Sequence, residues 1–114
     1  RTVSGMEGDL EVLGPEPALP AGARAGLYRV VQEGLANAFR HSGAQRVDVR
    51  VEFAPGEVSV RMRDDGRGFD PEAASRGRGL DNMRHRVEEL GGRMELASRP
   101  GAGTTLEFRV PAEP

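Results

Sequence analysis

Four segments of the chain alternate apolar and polar residues with a period of two. Val47, Val49, Val51 and Phe53 alternate with Asp48, Arg50 and Glu52, and Val58, Val60 and Met62 alternate with Ser59, Arg61 and Arg63. Met94 and Leu96 flank Glu95, and Leu106, Phe108 and Val110 alternate with Glu107 and Arg109. Successive strand side chains point to opposite faces, so each segment carries one apolar and one charged face. A sheet covered on one side only has this pattern. The charged residues read as solvated strand faces without further role. Ala54-Pro55-Gly56 and Arg99-Pro100-Gly101 supply turns.

Two other segments change period. From about Pro20 to Ser42, the residues Leu27, Val30, Val31, Gly34, Leu35, Ala38 and Phe39 recur at helical spacing. Pro20 suits the entrance of that helix, and Gly43 suits a left-handed cap at its end. A second helix is predicted from about Leu80 to Leu90, with Leu80, Met83, Val87 and Leu90 as its stripe and Gly91-Gly92 as its stop. Met83 reads as core rather than as a ligand. Residues 1–19 are poorly patterned. Val3 and the Leu10–Leu13 run suit edge-strand fragments, and Gly14-Pro15 with Pro17 suits a loop. Two helices on one face of a mostly antiparallel sheet predict a two-layer α/β (α+β) sandwich.

Composition removes several function classes. The chain has 114 residues, enough for one domain with its own core. There is no cysteine, hence no disulfide, no thiolate chemistry and no thiolate metal site. No apolar run approaches the length of a membrane span, and no signal peptide is visible. The net charge is −2 with mixed signs and aromatic residues are few, which argues against a nucleic-acid surface. All 16 basic residues are arginine. A P-loop and a Ser/Thr/Tyr protein kinase each need a lysine, so phosphate must be held here by backbone N–H, Arg, His or metal.

The candidate chemistry lies in three places. Asp64-Asp65-Gly66-Arg67-Gly68-Phe69 closes the second alternating segment, Glu33 and Asn37 sit four apart on the first helix, and Gly77-Arg78-Gly79-Leu80 opens the second. At 100° per residue, Glu33, Asn37 and Arg40 fall within roughly 60° of one another, beside the apolar face, so they rim a cleft. Each piece alone has a plain structural reading: an Asp-Gly turn, a solvated helix edge, a loop before a helix. Together they supply an acceptor for an exocyclic amine, backbone near phosphate at a helix N-terminus, and an oxygen ligand for a hard cation.

The order resembles the ATP-binding (CA) domain of sensor histidine kinases, within the GHKL or Bergerat-fold ATPases. Gln32-Glu33-Gly34-Leu35-Ala36-Asn37-Ala38-Phe39-Arg40-His41-Ser42 looks like the N box, Asp65-Gly66-Arg67-Gly68-Phe69 like the G1 box, and Gly77-Arg78-Gly79-Leu80 like the G2 box. Gly91-Gly92 and Gly101-Ala102-Gly103-Thr104-Thr105 are similar to the closing segment, and Gly-Leu-Asp-Asn-Met-Arg-His-Arg-Val from Gly79 to the NarL-partner subfamily. The resemblance runs from about Leu19 to Pro111. It implies that ATP and Mg²⁺ sit between the helices above the sheet, with Phe69–Arg76 as a short lid.

The resemblance also implies roles. The Asp of the family's Asp-x-Gly-x-Gly pattern, assigned to Asp65, accepts from the adenine amine as a buried carboxylate, while Asp64 points to the other side of the strand. Thr104 backs that carboxylate. Gly66 and Gly68 bend the chain at the nucleotide, Asn37 is the Mg²⁺ ligand, and Arg40 and His41 approach the phosphates. Backbone N–H groups from Gly77, Gly79 and Leu80 face the polyphosphate. Glu33 is either the catalytic base or an orienter of metal-bound water. His41 is not the phosphorylated histidine, which in the family lies on a separate dimerisation domain, and His85 reads as a surface residue. The partners implied are that absent dimerisation and phosphotransfer domain and, through it, a response regulator, with no nucleic acid and no direct membrane contact. The location implied is cytoplasmic. A chain that begins at Arg1 without Met reads as a piece of a longer protein, with 1–114 as a single domain. Two other readings stay open: a stand-alone GHKL serine/threonine kinase of the anti-sigma type, and a nucleotide-binding module without transfer chemistry.

Overall fold

The computed structural model describes residues 2–3, 6–15, 19, 22–40, 43–70 and 80–112, with side chains described for all of these but 2–7 and 37–40. Its elements in chain order are β1 (Thr2–Val3), β2 (Met6–Glu7), β3 (Leu10–Leu13), α1 (Ala23–Arg40), β4 (Val47–Ala54), β5 (Glu57–Asp64), α2 (Leu80–Glu89), β6 (Arg93–Ser98) and β7 (Thr104–Pro111). All four alternating segments are strands and both helical stretches are helices. The two-layer sandwich is therefore the observed architecture.

The main sheet has the order β3-β4-β5-β7-β6. The β4–β5, β5–β7 and β7–β6 pairs are antiparallel, whereas β3 joins the edge of the sheet parallel to β4. Leu10–Leu13 is thus the edge strand its composition suggested. Val3 instead belongs to a separate hairpin, where β1 pairs with β2. Two-residue strands are too short to show a period, which is why Met6–Glu7 escapes a sequence reading.

Register places the apolar residues in rows. Val51, Val60, Phe108 and Met94 are cross-strand neighbours, as are Val49, Met62, Leu106 and Leu96. These rows face the helices, and Val30 of α1 with Met83 and Val87 of α2 complete a core in which those three are fully buried. Burying side chains of this size contributes about 1.5–3 kcal/mol each. An exposed pair such as Arg50–Glu11 on the outer face contributes about 0–1 kcal/mol. The two-layer contact therefore holds the fold, and the outer charges keep that face wet.

The α2 stop follows the expected geometry. Gly91 has φ +80, the Gly92 N–H donates to the Val87 carbonyl at 2.9 Å, and the Gly91 N–H donates to Glu88 at 2.9 Å. This paired arrangement is a Schellman cap, which needs a residue free to turn left-handed. Gly43, beyond α1, is left-handed as expected, with φ +64. Among the described residues, no helix is long and apolar enough to cross a membrane.

Candidate functional site

The rows change character at one end of the sheet. Next to the Val49–Met62–Leu106–Leu96 row, the neighbours become Val47, Asp64, Thr104 and Ser98. The alternation that turns Met62, Leu106 and Leu96 toward the helices turns Asp64, Thr104 and Ser98 the same way. Thr104 is buried, at 9% exposure, and Asp64 and Ser98 are half-buried. A polar row on the covered side of a sheet is costly unless each group is hydrogen-bonded. These groups are. The Asp64 Oδ1 accepts from the Gly66 N–H at 2.8 Å, fixing the turn after β5. The Ser98 hydroxyl accepts from the Phe69 N–H at 2.9 Å and lies 2.9 Å from the Thr104 hydroxyl and 3.1 Å from the Gly103 carbonyl oxygen.

Glycines let the backbone close over this end. Gly68 has φ +63, and a Cβ there would stand 2.0 Å from the Arg99 carbonyl oxygen. Gly103 has φ +74, and its Cβ would meet the Asp64 carbonyl oxygen at 2.2 Å. The Gly101 N–H donates to the Arg67 carbonyl at 2.6 Å. The loop after β5 is therefore clamped to the turn between β6 and β7, and both its glycines are buried.

This geometry separates the two aspartates. Asp64 and Asp65 do point to opposite sides, but Asp64 is the one on the helix-covered side. Asp65 is exposed, and its Oδ1 accepts the Gln45 and Arg46 N–H groups at 2.9 Å each. It belongs to an open groove on the charged face, lined also by Arg46, Asp48, Arg63, the 101–103 turn and part of Asp64. The expectation of a buried acceptor at Asp65 therefore fails. Counted along the chain, Asp-x-Gly-x-Gly begins at Asp64: Asp64-Asp65-Gly66-Arg67-Gly68. Both the spacing and the strand alternation agree on it.

In that outer groove the opposed charges already pair. Arg46 binds Asp48 through two nitrogens and also reaches Asp9. Partial burial pushes the Asp48 carboxyl up, but the hydrogen bonds from Arg46 and the Asp9 N–H, with the charges of Arg46 and Arg63, outweigh it. The net result holds Asp48 below the ordinary carboxylate range, and the same pairing raises the Arg46 guanidinium.

The remaining site residues are placed as follows. Glu33, on α1, accepts from Arg86 Nε of α2 at 3.0 Å, so the two helices are tied at the side chain expected near the cleft. Leu80 is the first residue of α2 and is half-buried. Asn37 and Arg40 lie in the last turns of α1; their side chains, together with His41, Gly77, Gly79 and residues 71–76 of the expected lid, lie outside the described residues. His85 is exposed, as expected of a surface residue. Among the described residues no three His, Asp or Glu side chains form a ready metal cluster. Sequence reasoning missed Ser98 and Arg86. Extending the Met94, Leu96 alternation by one step finds Ser98; Arg86 has no local signal, because its partner is 53 residues away.

Comparison with known proteins bears on the family and the fold. The family model described as histidine kinase-, DNA gyrase B-, and HSP90-like ATPase matches residues 22–114. The sensor histidine kinase LiaS of Bacillus subtilis is 36% identical over 100 residues, which is 87% of this chain and 28% of LiaS. The chain thus spans a little over a quarter of that relative's length. Among solved structures, the mycobacterial sensor histidine kinase MprB superposes with a TM-score of 0.75 at 25% identity, over 97% of this chain and 85% of that one. The ATP-binding domain of PrrB from Mycobacterium tuberculosis gives 0.68 at 29% identity, over 92% and 82%.

Proposed function

The chain belongs to the histidine kinase-, DNA gyrase B- and HSP90-like ATPase family, and from that premise we propose that it is the catalytic domain of a two-component sensor histidine kinase, presenting the γ-phosphate of ATP to a histidine on a separate dimerisation domain. The observation that carries the reading is the polar row Asp64–Thr104–Ser98 on the helix-covered side, beside a loop whose glycines admit close backbone approach. An ionised carboxylate accepts at about four lone-pair sites, so Asp64 can hold its turn and still accept from an exocyclic amine. A 6-oxo purine offers a carbonyl there and would face an uncompensated charge. Arg40, His41 and the backbone of Gly77, Gly79 and Leu80 are proposed to hold the polyphosphate at the N-terminus of α2.

The residues present suit Mg²⁺ as well as they suit a nucleotide. A neutral carboxamide from Asn37 fits a cation that keeps most of its waters and takes few protein ligands. Bound there with the nucleotide, Mg²⁺ would offset phosphate charge. Glu33 stands one turn before Asn37 and is held by Arg86, which favours an orienting role for it. The acceptor histidine and the response regulator belong to the proposed whole protein, of which this chain is one domain.

Calorimetric titration with ATP tests the reading. Asp64→Asn should lose most of the affinity, because the carboxamide brings a donor toward the amine. Asp65→Asn should bind ATP nearly as well as the parent chain. The reverse outcome would restore Asp65 as the nucleotide acceptor.

A further inference from the structure

Ser98 sits at the end of the polar row, and its three contacts fix the direction of every proton in it. A serine hydroxyl has one proton and two lone pairs. The Phe69 N–H can only donate, so it takes one lone pair. The Gly103 carbonyl can only accept, so the Ser98 proton goes to it. The remaining contact, 2.9 Å from Thr104 Oγ1, must then be made by the Thr104 proton on the second Ser98 lone pair. Were Ser98 to donate to Thr104 instead, its oxygen would face the Gly103 carbonyl lone pair to lone pair at 3.1 Å.

We infer that Ser98 is a specificity-determining residue of the nucleotide site, acting through Thr104: it draws away the one proton that Thr104 could offer, so Asp64 and Thr104 together present acceptors only. The inference rests on the adenine reading given above and deepens it. Asp64 and Thr104 are cross-strand partners on the covered side, so a purine edge that meets one carboxylate oxygen meets the threonine oxygen beside it. An acceptor-only pair suits an amino group, which brings two N–H donors. A hydroxyl free to turn would also donate, and so would accommodate a 6-oxo group. Ser98 closes that option from the far side of Thr104 without touching the base. It is a positioning residue, not a catalytic one.

The test compares ATP with inosine triphosphate, whose purine carries a carbonyl in place of the 6-amino group, by calorimetry on the parent chain, Ser98→Thr and Ser98→Val. Threonine and valine are near-isosteric, so the pair differs in the hydroxyl alone. The parent chain and Ser98→Thr should share one strong preference for ATP. Ser98→Val should lose roughly tenfold of that preference, the effect of one redirected hydrogen bond, chiefly through tighter inosine triphosphate binding. Adding Thr104→Val to Ser98→Val should restore the preference, since no hydroxyl proton then remains to donate. If valine does not fit at residue 98, Ser98→Ala removes the same group without added volume. Equal loss for both nucleotides, with the ratio unchanged, would overturn the inference and leave Ser98 as a structural tie. A parent chain that binds ATP and inosine triphosphate alike would instead overturn the adenine reading on which the inference stands.

Discussion

At the scale of single residues, the two neighbouring aspartates show how strongly strand direction divides roles. Asp64 continues the inward series Val58, Val60, Met62, and Asp65 continues the outward series Arg61, Arg63. The series was legible in the sequence; carrying it two and three residues past Met62 assigns both side chains. What was not legible is the Asp65 partner, since the Gln45 and Arg46 N–H groups lie some twenty residues away. Asn37 belongs to this scale too. Asn37→Ala should weaken ATP binding in the presence of Mg²⁺ more than in EDTA, as paired titrations would show. Equal losses would mark a structural asparagine. On the outer face, Asp48 gives a pH prediction. Its carboxyl is held low in the folded state, so its stabilising contribution is complete above the unfolded value of about 3.9 and is lost as pH falls through the lower folded value. Thermal melts from pH 5 downward should therefore fall less steeply for Asp48→Asn than for the parent chain. Parallel profiles would contradict that.

At the scale of elements, the strands and helices were readable because each has one covered face, which gives a clean period of two or of 3.6. The parallel seat of β3 was not readable, because direction depends on a partner strand and leaves no mark on a four-residue run. The loop after β5 is the element that joins fold to site. Its Gly68 is left-handed and stands against the Arg99 backbone, which cannot swing aside as a flexible side chain can. Gly68→Ala should therefore cost upward of about 2 kcal/mol in stability and should also reduce ATP affinity. Gly92 is equally tight, with a Cβ position 2.1 Å from the Arg109 carbonyl oxygen, but it lies at the other end of β6. Gly92→Ala should lower the melting temperature while the remaining folded protein keeps its affinity. Chemical denaturation paired with calorimetry separates the two. A stability loss for Gly68→Ala with affinity intact would detach the loop from the nucleotide.

At the scale of the whole molecule, a sheet covered on one side leaves its polar end row under the helices and its charged face in water. The proposed function places nucleotide chemistry between the helix layer and the polar row that begins at Asp64. In the proposed function this domain binds the nucleotide and Mg²⁺, and the acceptor histidine belongs to a separate dimerisation domain. Holding two reactants in geometry can supply about 7–11 kcal/mol of a barrier, and on the proposed reading that contribution comes only when the dimerisation domain brings its histidine to the nucleotide. The chain alone should then show neither useful autophosphorylation nor useful ATP hydrolysis. The most direct measurement is phosphotransfer in trans: the chain with γ-labelled ATP and Mg²⁺, with and without a dimerisation domain carrying its histidine. The account predicts label on the added domain only, stable in base and lost in acid as a phosphoramidate is, and absent when the chain carries Asp64→Asn. Acid-stable label on serine or threonine, or label undiminished by Asp64→Asn, would contradict it.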